Sequence, residues 1–148
     1  MSDISRIADT SFEDIPHDKP LVDGDYVLKI ISRKFVEKDG ENWVRWTMKA
    51  VRVIQSALTD EDLMDSFPVF KDHCLEKTNK KEIKVTRNFF EYYLGLPLVD
   101  DNGAGIKAPE LCERALGAEV RALIKVRTNA EGKPFVNIVR FLKVEEAN

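Results

Sequence analysis

From Gly24 to Ile54 the chain alternates apolar with charged or polar residues, the period-two pattern of β-strands buried on one face. A rising strand over Asp25–Val36 and a returning strand over Asn42–Val51 are rich in β-branched and aromatic side chains, and Lys38-Asp39-Gly40 supplies a turn between them. Parity decides the register. A two-residue Asp39-Gly40 loop sets Lys29 and Arg33 on the face of Met48 and Trp46, which buries charge. A three-residue loop, with Gly40 left-handed in a bulge, pairs Glu37 with Glu41 and sets apolar against apolar. The second register is therefore expected. It places Ser32, Ile30 and Leu28 opposite Trp46, Met48 and Ala50 on the inside, and Phe35, Arg33 and Lys29 opposite Trp43, Arg45 and Lys49 on the outside.

Cations directly opposed across a ladder destabilise a free sheet, so Arg33 with Arg45 and Lys29 with Lys49 point to a held anion. Phe35 and Trp43 beside them are placed to stack a base, a contact worth roughly 1–3 kcal/mol by alanine substitution. The alternative is a solvated sheet face carrying two incidental rings.

The 148 residues suffice for one domain with a real core. Cys74 and Cys112 form no C-x-x-C pair and have no histidine set around them, so neither a disulfide framework nor a zinc site is indicated, which fits a reducing cytoplasm. No apolar run reaches the length of a membrane span, and Met-Ser-Asp-Ile-Ser-Arg lacks the pattern of a signal peptide, so a soluble cytoplasmic protein is expected. The formal net charge of -3 argues against a nucleic-acid binder only until its distribution is considered. Lys29, Arg33, Lys34, Lys38, Arg45, Lys49 and Arg52 crowd the first hairpin. Arg121, Lys125, Arg127, Lys133, Arg140 and Lys143 crowd residues 120–143 against Glu131 alone. The acids collect in the N-terminal arm, over 60–65 and over 88–119, so a basic sheet face on an acidic body is expected.

Residues 1–22 read as an extended, partly disordered arm, with Phe12 and Ile15 as anchors and His17 as exposed filler. Thr59 to Asp65 resembles a calcium loop but fails, because Asp65 stands where the sharp turn needs glycine and Lys71 where a bidentate glutamate belongs. A short capped helix, with Thr59 or Asp60 as N-cap, is expected there. Phe67–Leu75 reads as a third strand, on which His73 and Cys74 point to opposite faces. Lys77, Lys80, Lys81 and Lys84 read as a basic loop, solvated or holding phosphates. A helix capped by Thr86 follows, its aromatics in the core, and a second short helix opens at Pro109 and stops at Gly117. In the closing hairpin Val120, Ala122, Ile124 and Val126 face in, while Arg121, Leu123, Lys125 and Arg127 face out, and the return runs Phe135–Leu142. Residues 145–148 are a short acidic tail.

No nucleophile elbow, zinc-protease helix, phosphate loop or dinucleotide fingerprint occurs, so no enzymatic role, metal or cofactor is expected. What remains is a mainly β domain over 23–144 with inserted helices: a five-stranded OB-fold (Greek-key) barrel, with a split barrel as the alternative. Asp23-Gly24-Asp25-Tyr26-Val27-Leu28-Lys29-Ile30, Trp43-Val44-Arg45-Trp46-Thr47-Met48, Ala115-Leu116-Gly117-Ala118-Glu119-Val120 and Gly132-Lys133-Pro134-Phe135 onward to Phe141 resemble a family of phage-encoded single-stranded-DNA-binding proteins. The likeness spans residues 12–143, departing in the acid-rich middle and in a tail without a terminal aromatic. It implies an OB fold that coats exposed DNA during replication and recombination, in the host cytoplasm. The residues themselves then give a non-catalytic binder with little sequence preference. Lys29, Arg33, Arg45, Lys49, Arg121, Lys125 and Arg127 track phosphates, and Trp43 and Phe35 stack bases. Replication or recombination proteins and a second copy in a homodimer are compatible partners. The competing reading is an interaction module of such a complex that touches no nucleic acid.

Overall fold

A computed structural model describes residues 20–145. The arm expected over 1–22, with Phe12, Ile15 and His17, therefore lies outside the described residues except for its last three, and the tail over 145–148 except for its first. Of those three, Leu21 is buried and belongs to the core. The elements run β1 (Gly24–Lys38), β2 (Glu41–Ser56), β3 (Val69–Cys74), α1 (Lys80–Asn88), α2 (Ala108–Arg114), β4 (Glu119–Thr128) and β5 (Pro134–Leu142). A 3-10 turn at Glu61–Asp65 precedes β3, and a π-helical turn at Phe89–Tyr93 continues α1. Thr59 and Asp62 cap the 3-10 turn reciprocally, each side-chain oxygen accepting from the other's backbone N–H.

The strands form one antiparallel sheet in the order β3-β2-β1-β4-β5, with both helices inserted between β3 and β4. The sheet is open, and it curls like a barrel. The ring of Phe89 lies 4.4 Å from His73 on β3 and 4.9 Å from Phe141 on β5, so rings rather than a ladder bridge its two outer strands.

The first hairpin departs from the expected register in one informative way. Its turn is the two-residue Asp39-Gly40 loop, both residues left-handed at φ 53 and φ 77, as a primed turn requires. The extra residue expected at the turn is instead Ile31, which no β2 residue opposes because Ile30 pairs with Met48 and Ser32 with Thr47. Below this bulge the expected pairs hold: Ile30 with Met48, Lys29 with Lys49, Leu28 with Ala50. Above it they shift by one, giving Arg33 with Trp46, Lys34 with Arg45, Phe35 with Val44 and Val36 with Trp43. Two further bulges, at Val51 and Ile54 on β2, twist the hairpin at its base.

The core lies on the concave side of the sheet: Tyr26, Leu28 and Ile30 of β1, Val44, Trp46 and Met48 of β2, and Val120, Ala122 and Ile124 of β4 are all buried. Phe89 and Phe90 of the π turn, Leu111 and Cys112 of α2 and Ala115 at the end of that helix roof it. Gly24 opens β1 where a Cβ would sit 2.6 Å from the Gln55 carbonyl oxygen, so the strand base admits no side chain there. Two residues on, the Tyr26 hydroxyl donates to the Val22 carbonyl at 2.7 Å and accepts from Ser56. The Gly-x-Tyr opening is thus a structural device.

Three expectations on the middle of the chain are corrected. Of the lysine cluster, Lys80, Lys81 and Lys84 are in helix rather than loop, since α1 begins at Lys80 with Asn79 as its N-cap, and only Lys77 lies in a turn before it. Thr86 therefore caps nothing; it is buried inside α1 and donates to the Cys74 carbonyl at 2.6 Å. Arg121 does not face solvent, for reasons given below.

Candidate nucleic-acid interface

The Ile31 bulge divides the residues expected to share one outer face. Trp43 and Arg45 do point outward, in line with Val36 and Lys34 of β1. Arg33 and Phe35 fall on the opposite side, in line with Trp46 and Val44, where α2 packs. There Arg33 pairs with Glu113 of α2 at 2.7 Å and its guanidinium lies 5.0 Å from the Phe35 ring centre. The physical reason is the parity of the strand: one inserted residue exchanges the faces of everything between it and the turn.

The outer face of the tip is a connected set. Lys38 stands 4.3 Å above the Trp43 ring and donates to Asp72 of β3 at 3.1 Å. Arg45, which Asp72 opposes directly in the β2–β3 ladder, grips the same carboxylate through Nε at 2.8 Å and a terminal nitrogen at 2.9 Å. These hydrogen bonds, those of Arg45 foremost, hold the Asp72 carboxyl below the usual range. Phe70, two residues before Asp72 and on the same face, is 59% exposed. These side chains line a cleft of about 670 Å³ together with Lys71, Glu82 of α1 and the Val136–Ile138 stretch of β5. The cleft therefore opens where the two outer strands approach each other. The indole N–H of Trp43, shielded from solvent, has no hydrogen-bond partner among the described residues.

The other expected contacts separate into engaged and exposed groups. Lys49 donates to the carbonyl and hydroxyl oxygens of Ser66, so it ties β2 to the turn before β3. Arg121 is buried, and its guanidinium clasps Asp25 at 2.9 Å and 2.5 Å. It opposes Val27 on the convex side, and Asp25 is its diagonal neighbour on β1. Alternation placed Arg121 correctly away from the main core but could not show that this part of the convex face is covered. Lys29, Lys125 and Arg127 remain exposed.

Sequence reasoning missed Lys38, Phe70, Lys71 and Asp72 as members of the site. Two signals were present: Asp39-Gly40 is the strongest short hairpin turn, and Phe70 and Asp72 share a parity on a strand of six residues.

The arrangement can stack planar rings and pair with phosphates. His73 is buried and neutral, its pKa pushed down to about 3 chiefly by loss of solvent, and burial pushes the Cys112 thiol up to about 11. Among the described residues no cluster of His, Cys, Asp or Glu is placed to hold a metal ion, and no helix is long and apolar enough to cross a membrane. No protein-family model and no curated protein matches this sequence.

Proposed function

We propose that this chain is a non-catalytic single-stranded-DNA-binding protein of OB architecture, coating exposed DNA with little sequence preference in phage-type replication or recombination in the cytoplasm. One observation carries the reading: Trp43 and Phe70 share a cleft with Lys38, Arg45 and Lys71, which joins stacking surfaces to phosphate-pairing charge. The strand order supports it, because OB barrels grip oligonucleotides on the face of their second and third strands and with the loops joining strands one to two and four to five. Here the cleft is built from β2 and β3, the tip of the first hairpin and β5.

Titration of the intrinsic fluorescence with oligo-dT tests this. Trp46 is sealed in the core, so quenching reports Trp43. Affinity should fall with rising salt, log K changing by about −0.7 per phosphate neutralised for each unit of log salt. Trp43→Ala should weaken binding by roughly 1–3 kcal/mol, a factor of about 5 to 150, with an unchanged melting temperature. The oligonucleotide should remain intact with magnesium present.

A second reading has its own observation. Asp72 already pairs with both Arg45 and Lys38, while Arg33, Lys49 and Arg121 are spent on Glu113, Ser66 and Asp25. A protein-binding module of a replication or recombination complex would look the same. Absence of quenching at low salt would select it.

A further inference from the structure

The most basic stretch of the chain lies off the sheet. From Lys77 to Arg87, Lys77, Lys80, Lys81, Lys84 and Arg87 stand against Glu82 alone. Helix α1 turns that run into a surface. Ile83 and the buried Thr86 hold one side of it to the body, and Thr86 fixes its depth through the Cys74 carbonyl. Lys80, Lys84 and Arg87 follow at the spacing of successive turns, with Lys81 beside them, and all four are exposed. Of these four, Arg87 alone forms an ion pair among the described residues, with Glu91 at 3.4 Å.

This charge works against the helix that carries it. Lys80 and Lys81 sit in the first turn, where the helix dipole is positive and acidic residues stabilise. Lys80 and Lys84 repel each other across one turn. A surface helix chosen for stability would reverse these signs, so the stripe answers to something negative outside the molecule.

Its position says what. The Asn79 side chain donates to Glu41 at 3.0 Å and Asn42 donates to Glu76 at 3.2 Å, which pins the start of α1 to the hairpin tip. Glu82, on the same side of α1 as Thr86 one turn later, lines the Trp43–Phe70 cleft. Lys81 is the stripe residue next to Glu82, and from Lys80 to Arg87 the stripe runs about 10 Å along the helix, at 1.5 Å per residue.

We propose that α1 is a second segment of the nucleic-acid track, on which a single strand leaving the cleft lays its phosphates along Lys80, Lys81 and Lys84. This rests on the DNA-binding reading above and extends the interface beyond the sheet.

The test uses the full chain with Lys80→Ala, Lys81→Ala and Lys84→Ala combined. Alanine favours the helix, and circular dichroism with a thermal melt checks that the fold is kept. Binding is measured over a salt series with a short oligo-dT that fills only the cleft and with a longer one. For the longer strand the variant should lose about 0.7 of salt slope per contact removed, and for the short strand it should match the unaltered protein. Equal slopes for variant and unaltered protein on the longer strand would overturn the α1 track while leaving the cleft intact. No binding of either strand by the unaltered protein would overturn both. Lysine-dependent binding of oligo-glutamate without binding of oligo-dT would make α1 a docking face for acidic proteins, which also overturns the track.

Discussion

Asp25→Ala should destabilise the protein by about 3–5 kcal/mol, the range for breaking a buried ion pair by removing one partner. The side chains of Arg121 and Asp25 are 3% and 6% exposed, so the guanidinium left behind can recover little hydration. Most of the loss is the penalty of stranding a charge rather than the net value of the pair. For the same reason the double variant Asp25→Leu with Arg121→Met should regain most of what the single one loses, since apolar replacement of both partners is often neutral. Urea unfolding with an unchanged m-value is the measurement. A single-variant cost below about 1 kcal/mol would mean that this part of the convex face is wet. Because neither group reaches the surface, the folded variants should bind oligo-dT as the unaltered protein does. That outcome separates Arg121 from the exposed cations with which its sequence pattern groups it.

Trp46→Ala should cost about 3–5 kcal/mol, as expected for deleting a fully buried indole. Two links make this site sensitive. The ring packs at 5.8 Å from Phe89 and 6.0 Å from Phe90, and its N–H donates to His73 Nδ1 at 2.8 Å. An accepting Nδ1 leaves the imidazole proton on Nε2, the neutral tautomer that burial demands. With its folded pKa near 3 against 6.5 for a free histidine, His73 contributes stability that is fully present above pH 6.5 and lost as pH falls toward 3. The slope within that window is on the order of 1 kcal/mol per pH unit. Melts between pH 7 and 4.5 should therefore decline for the unaltered protein and stay flatter for His73→Leu. Asp72, whose folded pKa lies below the ordinary 3.8, adds a loss in the same direction only at lower pH. An undiminished decline in the variant would assign the pH dependence elsewhere.

The faces of the first hairpin were legible where alternation is unbroken and illegible beyond Ile31. Each slip in the ladder falls at an apolar doublet: Ile30-Ile31, Ala50-Val51 and Val53-Ile54. Two adjacent apolar residues in a strand of period two mean either burial on both sides or a change of parity, and composition alone does not separate them. The turn was the arbiter, since Asp39-Gly40 prefers the two-residue form, and charge burial argued against it only because the bulge was placed at the wrong end. The inward residues of β4, the aromatic roof from Phe89 and Phe90, and the helix after Pro109 followed from spacing and punctuation. The pairing of Arg121 with Asp25 joins residues far apart in the chain, and no local pattern encodes it. The lysine cluster misled because, beside Thr78 and Asn79, it reads as a solvated loop, whereas Asn79, Ile83 and Thr86 supply the cap and the anchored side that make a helix.

Aromatic side chains, not amide-to-carbonyl contacts, span the gap between β3 and β5, so both outermost strands keep a row of backbone groups that nothing in the sheet engages. Deuterium uptake should then advance inward from these two margins and reach β1, flanked on either side, last. A bound strand lying across the gap would slow β3 and β5 in concert, whereas one resting on a single surface would protect only one of them. The molecule would then behave as a clasp, fastened by what it holds.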